Sequence, residues 1–226
     1  MIAPQPRAAR APLRLLHGAL PALVACSEYQ VREPDALPTA EAPAIPATIY
    51  GNPPDWQTCE PGFAGHYTNL TADEMGVAAP DTGVEDALDP TALDWWDPSR
   101  PSIADFDPSL DFGANWWPLD EGIEGDPAWF AVWWVAWLRV WDDTEASFTL
   151  GAATDAWVLL DDVQVAAQSG RTAFEPETVP LSLDGGQYPV IVYAAQRGGP
   201  ASALRFRWLT GDVTLCYPDF SETVVD

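Results

Sequence analysis

Lysine is absent from this chain of 226 residues, and ten arginines stand against 34 aspartates and glutamates. The formal charge of −24 repels nucleic acid and anionic lipid headgroups, so both are poor partners. Histidine is scarce as well, and no Gly-x-Ser-x-Gly, Walker or His-Glu-x-x-His pattern occurs. We therefore expect no enzyme, no catalytic residue and no metal centre, and we expect His66 to be a buried or edge histidine.

A long apolar run is also missing near the N-terminus. The stretch 15–25 is too short to span a bilayer, and it follows three arginines, which is typical of an export signal. The letters LVAC ending at Cys26 resemble a bacterial lipobox. We predict that residues 1–25 are a lipoprotein signal peptide and that Cys26 carries the lipid. The protein would then be exported to the outer membrane or cell surface, with that anchor as its sole membrane contact. The alternative is a disordered tail with a chance cysteine.

Two further cysteines, Cys59 and Cys216, bracket most of the chain. In an oxidising compartment an even pair of cysteines tends to close, so we predict a disulfide between them. A loop this long makes the bridge worth roughly 4–5 kcal/mol in the chain-entropy account. Two unrelated buried thiols, or thiols at a metal, are the alternatives.

Composition divides the chain after the predicted signal peptide 1–25. Residues 26–58 are rich in Ala, Pro and Glu without periodicity, which predicts a disordered tether. Residues 59–216 are the predicted domain, and residues 217–226 are a C-terminal tail. Within the domain, the acidic, proline-broken stretch 70–128 is expected to form long loops that pack over the core.

The final ninety residues show the alternation of apolar and polar residues that is typical of strands. Glycine pairs at 185–186 and 198–199 mark turns between them. The predicted strands are 146–151, 156–160, 188–194 and 203–209.

The segment 128–141 is apolar at nearly every position and has a tryptophan at every fourth residue from Trp129 to Trp141. A spacing of four fits one face of a helix and also one face of a strand. Because the intervening residues are apolar too, we predict a central strand that is buried on both faces.

The order of these segments resembles the protective-antigen N-terminal β-barrel family (PA-fourteen) and its bacterial fibro-slime relatives. The similar stretches are GFAGHYTN at 62–69, DPSLDFG at 107–113 and FAVWWVAWL at 130–138. The third keeps Phe130, Val132, Trp134 and Leu138. The resemblance covers about residues 59–216. It implies an all-β fold, an antiparallel β-sandwich or barrel with long acidic loops.

In sugar-binding members of that family, two consecutive aspartates after the aromatic strand hold calcium, and the calcium holds the sugar. The matching positions here are Ala153 and Thr154, and only Asp155 follows as a carboxylate. Calcium requires six to eight oxygen ligands. The resemblance therefore implies that calcium binds weakly or not at all, and we expect no cofactor.

Four residues remain as candidates for ligand contact: Asp155, Trp157, Asp161 and Asp162. Asp162 replaces the family's usual turn glycine, and aspartate tolerates the left-handed backbone better than most residues. The alternative is that both loops are solvated turns.

Exposed tryptophan pairs at 95–96 or 116–117 could stack on sugar rings, although burial in the core is the commoner use of tryptophan. The predicted function is a surface-exposed, lipid-anchored module that binds a glycan or a cell-surface component in recognition or adhesion. The alternative is a structural envelope or extracellular-matrix component without a small ligand.

Overall fold

The computed structural model describes residues 50–71, 73–74, 93–114, 116, 125–170, 174–197 and 202–220. Within these ranges the chain forms eleven strands and one short 3-10 helix, Asp94–Trp96. The strands are β1 Phe63–Leu70, β2 Ile103–Asp107, β3 Leu110–Ala114, β4 Asp126–Val140, β5 Thr144–Ala152, β6 Asp155–Leu160, β7 Val163–Gln168, β8 Glu177–Leu183, β9 Gly186–Arg197, β10 Ala203–Thr210 and β11 Val213–Cys216.

These strands form two antiparallel sheets. The larger has the order β2-β1-β4-β9-β6-β7, and the smaller has the order β3-β10-β5-β8. In the larger sheet β9 pairs with β4 from Trp129 to Val140. The other edge of β4 is shared, because β1 pairs with its first half and β11 with Trp137–Val140. The predicted all-β antiparallel sandwich is confirmed.

The core between the two sheets comes from alternate residues of the predicted strands. Phe130, Val132, Trp134 and Leu138 of β4 all point into it, and each is at most 2% exposed. They meet Phe148, Leu150, Leu204 and Phe206 from the smaller sheet. Strand alternation alone places these side chains on one side, because successive residues point to opposite faces.

The outer face of β4 is buried as well, under a different cover. Trp133 and Val135 pack there against Trp95 and Trp96 of the 3-10 helix and against Tyr50. The indole Nε1 of Trp96 donates a 3.0 Å hydrogen bond to the carbonyl oxygen of Val132. The predicted burial of β4 on both faces is therefore confirmed, and the pair 95–96 serves to anchor the acidic stretch.

A buried polar group lies between the sheets where β1 meets β2. Asp107 accepts hydrogen bonds from the Tyr67 hydroxyl at 2.5 Å and from Trp134 Nε1 at 2.8 Å. Desolvation raises the pKa of the Asp107 carboxyl, and burial beside that carboxyl raises the pKa of Tyr67. Gly65 is required here, because a Cβ at this position would lie 2.7 Å from Asp107 Oδ2.

The boundaries of the packed domain differ from the predicted ones at both ends. Tyr50 is buried, and Asn52 forms a β-bridge with Asp219. Residues 50–58 of the predicted tether and residues 217–220 of the predicted tail therefore belong to the packed structure. The predicted signal peptide 1–25, Cys26 and the predicted tether up to residue 49 lie outside the described residues.

The predicted disulfide between Cys59 and Cys216 is present, with the two Cα atoms 5.8 Å apart. It joins the segment before β1 to the end of β11. No helix in the described ranges is long and apolar enough to cross a membrane.

The strands that were not predicted are β2, β3, β7, β8 and β11. β8 contains Pro180, which argues against a strand from sequence, but β8 is the edge of the smaller sheet. An edge strand tolerates proline because one side of its backbone has no partner to bond.

Candidate binding site at the acidic end

Strand β6 separates the four sequence-predicted ligand residues. Asp155 begins it, Trp157 lies within it, and Asp161 and Asp162 form the turn that follows it. At about 3.3 Å per residue, the turn is roughly 20 Å from Asp155. The structure therefore brings Asp161 and Asp162 together and places Asp155 at the opposite end of the sheet.

Asp155 is engaged on both carboxylate oxygens by the protein itself. Arg197 donates from Nε to Oδ2 at 2.5 Å and from Nη2 to Oδ1 at 2.7 Å. Oδ1 also accepts from Ser169 Oγ at 2.8 Å and from the Gly170 amide at 2.9 Å. The ion pair is buried, with the Asp155 side chain 0% and the Arg197 side chain 4% exposed. The acceptor capacity of the carboxylate is used up, so Asp155 positions the loops around it.

The two positions that match calcium-binding aspartates in the resembled family are also used for packing. The Ala153 amide donates to the Ala203 carbonyl oxygen at 2.9 Å. Thr154 is buried, and its hydroxyl donates to the Ala195 carbonyl oxygen. This loop therefore ties β6 to neighbouring strands.

Trp157 is 1% exposed and lies in the outer layer of the larger sheet. Its ring meets Trp96 edge to face, with the centroids 5.4 Å apart. In the second predicted pair, Trp116 stacks on Phe112 at 4.2 Å, and Trp117 lies outside the described residues. Trp157 and Trp116 therefore pack against other aromatic rings of the protein. A tryptophan on which a ligand could stack has to be sought elsewhere in the described residues.

The β6–β7 turn contains two residues, Asp161 and Asp162, with φ of 48° and 63°. Positive φ at both central residues is the signature of a type I′ hairpin turn. The left-handed backbone predicted at position 162 is thus present, and it extends to position 161. The Tyr50 hydroxyl donates to Asp162 Oδ1, which joins the turn to the outer cover of the sheet.

Three further turns lie at the same end of the molecule as the β6–β7 turn. The Gly185 amide donates to Asp143 Oδ1 at 2.9 Å, and the Tyr188 hydroxyl donates to the Asp184 carbonyl oxygen at 2.8 Å. The pKa of Tyr188 is raised mainly by desolvation, and also by the nearby negative charges of Asp184, Asp143 and Asp161. We call the turns 141–143, 161–162, 184–185 and 211–212 the acidic end, since they carry six exposed aspartates: Asp142, Asp143, Asp161, Asp162, Asp184 and Asp212.

Trp141 is the large aromatic residue of the acidic end. It follows the last residue of β4, and 48% of it is exposed. Its indole Nε1 donates to Thr214 Oγ1 at 3.3 Å, and the Arg139 guanidinium lies over its ring at 5.1 Å from the centroid. These two contacts hold the ring in place while leaving indole surface open to solvent.

Polar side chains continue from Trp141 across the outer face of the sheet. Arg139 pairs with Thr214 of β11 on one side and with Gln187 of β9 on the other. The Nε atom of Arg139 is buried and has no hydrogen-bond partner in the described part of the chain. The exposed indole of Trp141 therefore lies close to the polar residues Arg139, Thr214 and Gln187 and to the aspartates of the turns.

His66 lies away from this end, on the outer face of β1. Its imidazole stacks on Trp133, with ring centroids 4.0 Å apart and planes 6° from parallel. Desolvation lowers the pKa of His66, so the ring is neutral at pH 7. This contact agrees with the prediction that His66 is a buried or edge histidine.

No group of three or more His, Cys, Asp or Glu side chains in the described ranges is placed to hold a metal ion. The acidic-end carboxylates belong to separate turns, and those that make contacts bond to nearby protein groups. Their chemistry as a set is that of hydrogen-bond acceptors facing solvent.

Comparison with models of protein families and with curated proteins found no match. Solved structures did match. The PA14 sugar-binding domain from an RTX adhesin superposes with a TM-score of 0.51 at 14% identity, over 68% of this chain and 94% of that one.

Two further matches have lower TM-scores. The epithelial adhesin 9 A domain from Candida glabrata, solved in complex with Galb1-4GlcNAc, gives 0.48 at 9% identity over 76% of this chain and 96% of that one. An anti-sigma factor domain-containing protein gives 0.46 at 18% identity over 73% of this chain, which spans 48% of that protein. At such identities the likeness shows the fold alone, an antiparallel β-sandwich like that of PA14 domains.

Sequence reasoning placed Trp141 inside the central strand and did not single it out. One signal was available, because Trp141 directly precedes Asp142-Asp143 and so stands where the apolar alternation stops. A tryptophan at the junction of a buried strand and an acidic turn has one part packed and one part in solvent.

Proposed function

We propose that this domain is a non-enzymatic carbohydrate-binding module serving adhesion, and that the sugar lies on Trp141 at the acidic end. The observation that carries the proposal is the half-exposed indole of Trp141, fixed by Thr214 and Arg139 beside turn aspartates. The PA14-like fold supports it as an analogy, which is a weaker warrant than the site.

The chemistry of the acidic end matches a neutral sugar. A pyranose has an apolar C–H face, which packs on the flat indole ring. Its hydroxyl groups donate hydrogen bonds, and the aspartates of the neighbouring turns accept them. The Thr214 hydroxyl lies at the Nε1 edge of the indole, and the Arg139 guanidinium, which lies over the ring, supplies donors. Anionic ligands are disfavoured, since the chain carries a formal charge of −24.

The disulfide supports an exported protein, because such bridges persist in oxidising compartments. Within the proposal, Cys26 carries a lipid that holds the module at the outer membrane or cell surface. Metabolic labelling with palmitate is expected to mark the wild-type protein and not Cys26→Ala. Equal labelling of both, or labelling of neither, contradicts the anchor.

A glycan array tests the binding function. Wild-type protein is expected to bind a set of neutral glycans, and Trp141→Ala is expected to lose at least about 90% of that signal, since stacking on the ring is removed. The matched control is Leu209→Ala, because Leu209 is 49% exposed against 48% for Trp141 and makes no indole platform. This variant is expected to bind like wild type.

Two outcomes contradict the proposal. Wild-type protein that binds no glycan favours the structural envelope component. Equal losses in both variants mean that the array reads general stickiness of exposed apolar residues, and they remove Trp141 from the site.

A further inference from the structure

A concavity lies on the outer face of the larger sheet, where β1 and β2 form the edge. Its volume is about 370 Å³, which falls within the range of about 300–1,000 Å³ seen for small-molecule sites. The lining includes three aromatic rings, an imidazole and two alanines: Phe106, Tyr217, Phe220, His66, Ala64 and Ala104. None of these residues belongs to the acidic end, so the concavity is separate from the proposed glycan site.

The register of the strands leaves one face of the His66 ring turned toward this space. Trp133 of β4, His66 of β1 and Ala104 of β2 are partners across the sheet, so their side chains lie side by side on its outer face. The imidazole stacks on the Trp133 ring, with centroids 4.0 Å apart and planes 6° from parallel. Its other face is therefore turned toward β2. Ala104 has no ring to cover that face, and it is itself exposed.

The other side of the concavity is an aromatic wall formed by Phe106, Tyr217 and Phe220. The first two rings have centroids 5.4 Å apart and planes at 61°, and the last two have centroids 5.7 Å apart and planes at 78°. The Phe106 ring lies against Gly62, on the side away from the imidazole, where a Cβ would come within 2.5 Å of it. The Tyr217 amide donates to the Glu60 carbonyl oxygen at 2.8 Å. The wall is therefore built by packed segments, and its inclined rings present both faces and edges.

The described lining residues present no charged side chain to this space. Asp105 lies between Ala104 and Phe106 along β2, but it pairs with Gly65, and its side chain points to the opposite face of the sheet. There its carboxylate accepts the Phe106 amide at 2.8 Å. Desolvation lowers the pKa of His66, so the imidazole is neutral at pH 7. An uncharged ligand therefore fits this lining better than an ion.

We propose that this pocket binds a small, uncharged aromatic molecule of one ring, which stacks on the open face of His66 above Ala104 with its far edge toward the aromatic wall. The bound ring continues the stack that Trp133 and His66 begin. Aromatic rings prefer offset-stacked or edge-to-face contacts with centroids about 4.5–7 Å apart, and this lining offers both. A saturated ring of the same size is thicker and gains apolar contact alone, so the pocket selects for a flat aromatic ring.

NMR titration of a ¹⁵N-labelled sample tests the proposal, with benzyl alcohol as the aromatic probe and cyclohexylmethanol as the saturated probe of the same skeleton. Benzyl alcohol is expected to bind about three- to tenfold more tightly, because only its ring stacks on the imidazole. The amides of His66 and Ala104 are expected to shift. The carbon-bound protons of the His66 ring are expected to move upfield, since an aromatic ring stacked above them shields them.

Two substitutions locate the bound ring. Ala104→Leu fills the space beside the imidazole and is expected to abolish the shifts that benzyl alcohol causes. His66→Leu keeps an apolar side chain and removes the stacking ring, so the two alcohols are expected to bind within about twofold of each other. Should Ala104→Leu fail to fold, His66→Leu and the pair of probes still decide.

Two control variants are expected to bind benzyl alcohol like wild type. Asp105→Asn is the matched control on β2, because its side chain points to the opposite face of the sheet from Ala104. Trp141→Ala is the control at the acidic end, and it separates this pocket from the proposed glycan site.

Equal affinity of the wild type for the two alcohols overturns the proposal, because the pocket is then merely apolar. It is also overturned if the benzyl alcohol shifts survive in Ala104→Leu, or if the preference for benzyl alcohol survives in His66→Leu, since the ring then lies elsewhere. The absence of any shift at His66 and Ala104 has the same consequence. Shifts at these amides from a neutral methyl glycoside, with none from benzyl alcohol, would assign the pocket to sugar instead.

Discussion

The two ends of β6 use the same residue type in opposite ways. At one end Asp155 is buried, and Arg197, Ser169 and Gly170 take up its oxygens. At the other end Asp161 and Asp162 are exposed in a tight turn beside further turn aspartates. The Asp155 carboxylate stabilises the fold, whereas the Asp161 and Asp162 carboxylates face solvent and are accessible to a ligand.

This difference shows that a carboxylate's neighbours decide its role. Asp155 follows the aromatic strand, as a ligand residue should in the resembled family, yet an arginine 42 residues further along the chain occupies it. A buried charge is stable only when it is paired and hydrogen-bonded. A search for ligand contacts in this fold should therefore begin from exposed groups next to fixed aromatic rings.

Breaking the buried pair is expected to have the largest effect. Asp155→Ala leaves the Arg197 guanidinium buried without its carboxylate, and we expect the free energy of unfolding to fall by about 3–5 kcal/mol. Denaturant titration measures it. The control at the acidic end is Asp142→Ala, for which we expect a change within about 0.5 kcal/mol. Similar losses in the two variants would remove the distinction between the ends.

A smaller effect is expected where the acidic end is tied to the outer cover. Tyr50→Phe removes the hydroxyl that donates to Asp162, a hydrogen bond to a charged group, and should lower stability by about 1.5–3 kcal/mol. Tyr188→Phe is the control, since its hydroxyl meets a neutral carbonyl oxygen at an exposed site, and it should lose less than about 1 kcal/mol. If Tyr188→Phe loses as much stability as Tyr50→Phe, the hydrogen bond from Tyr50 to Asp162 stabilises the protein no more than an exposed neutral one.

Calcium is expected to have the smallest effect. The positions that match its ligands in the resembled family are Ala153 and Thr154, and Asp155 is already bonded to Arg197, so binding should be millimolar or absent. Thermal melts in calcium and in chelator are expected to agree within about 2 °C, which corresponds to under about 1 kcal/mol for a domain of this size. A much larger rise that Asp155→Ala or Asp162→Asn abolishes would restore calcium-dependent sugar binding.

Much of the fold could be predicted because the alternation that marks a strand is a property of consecutive residues in the sequence. The alternation along 128–141 gave β4, and the four predicted strands near the C-terminus became β5, β6, β9 and β10. By contrast β7, with the sequence VQVAAQ, is a short edge strand with little contrast between its two faces, so the pattern carried no signal.

The candidate site was harder to predict, because it depends on contacts between distant segments. The Asp161-Asp162 turn was recognised from local chemistry, and its positive φ values agree. Asp155 forms an ion pair with Arg197, and Trp157 packs against Trp96. The spacing of residues in the sequence indicates neither partner. Burial of a residue follows from the assembled sheet, which a local pattern does not contain.

We expect a glycan to bind at the acidic end and not at the Asp155 end. The direct measurement is calorimetric titration of one bound glycan into wild type, Trp141→Ala and Glu175→Ala. Glu175 is exposed at the Asp155 end, where its carbonyl oxygen accepts from Gln168 Nε2. We expect an affinity loss of about tenfold or more for Trp141→Ala and a change within about twofold for Glu175→Ala. Unchanged binding in Trp141→Ala together with a loss in Glu175→Ala would contradict it.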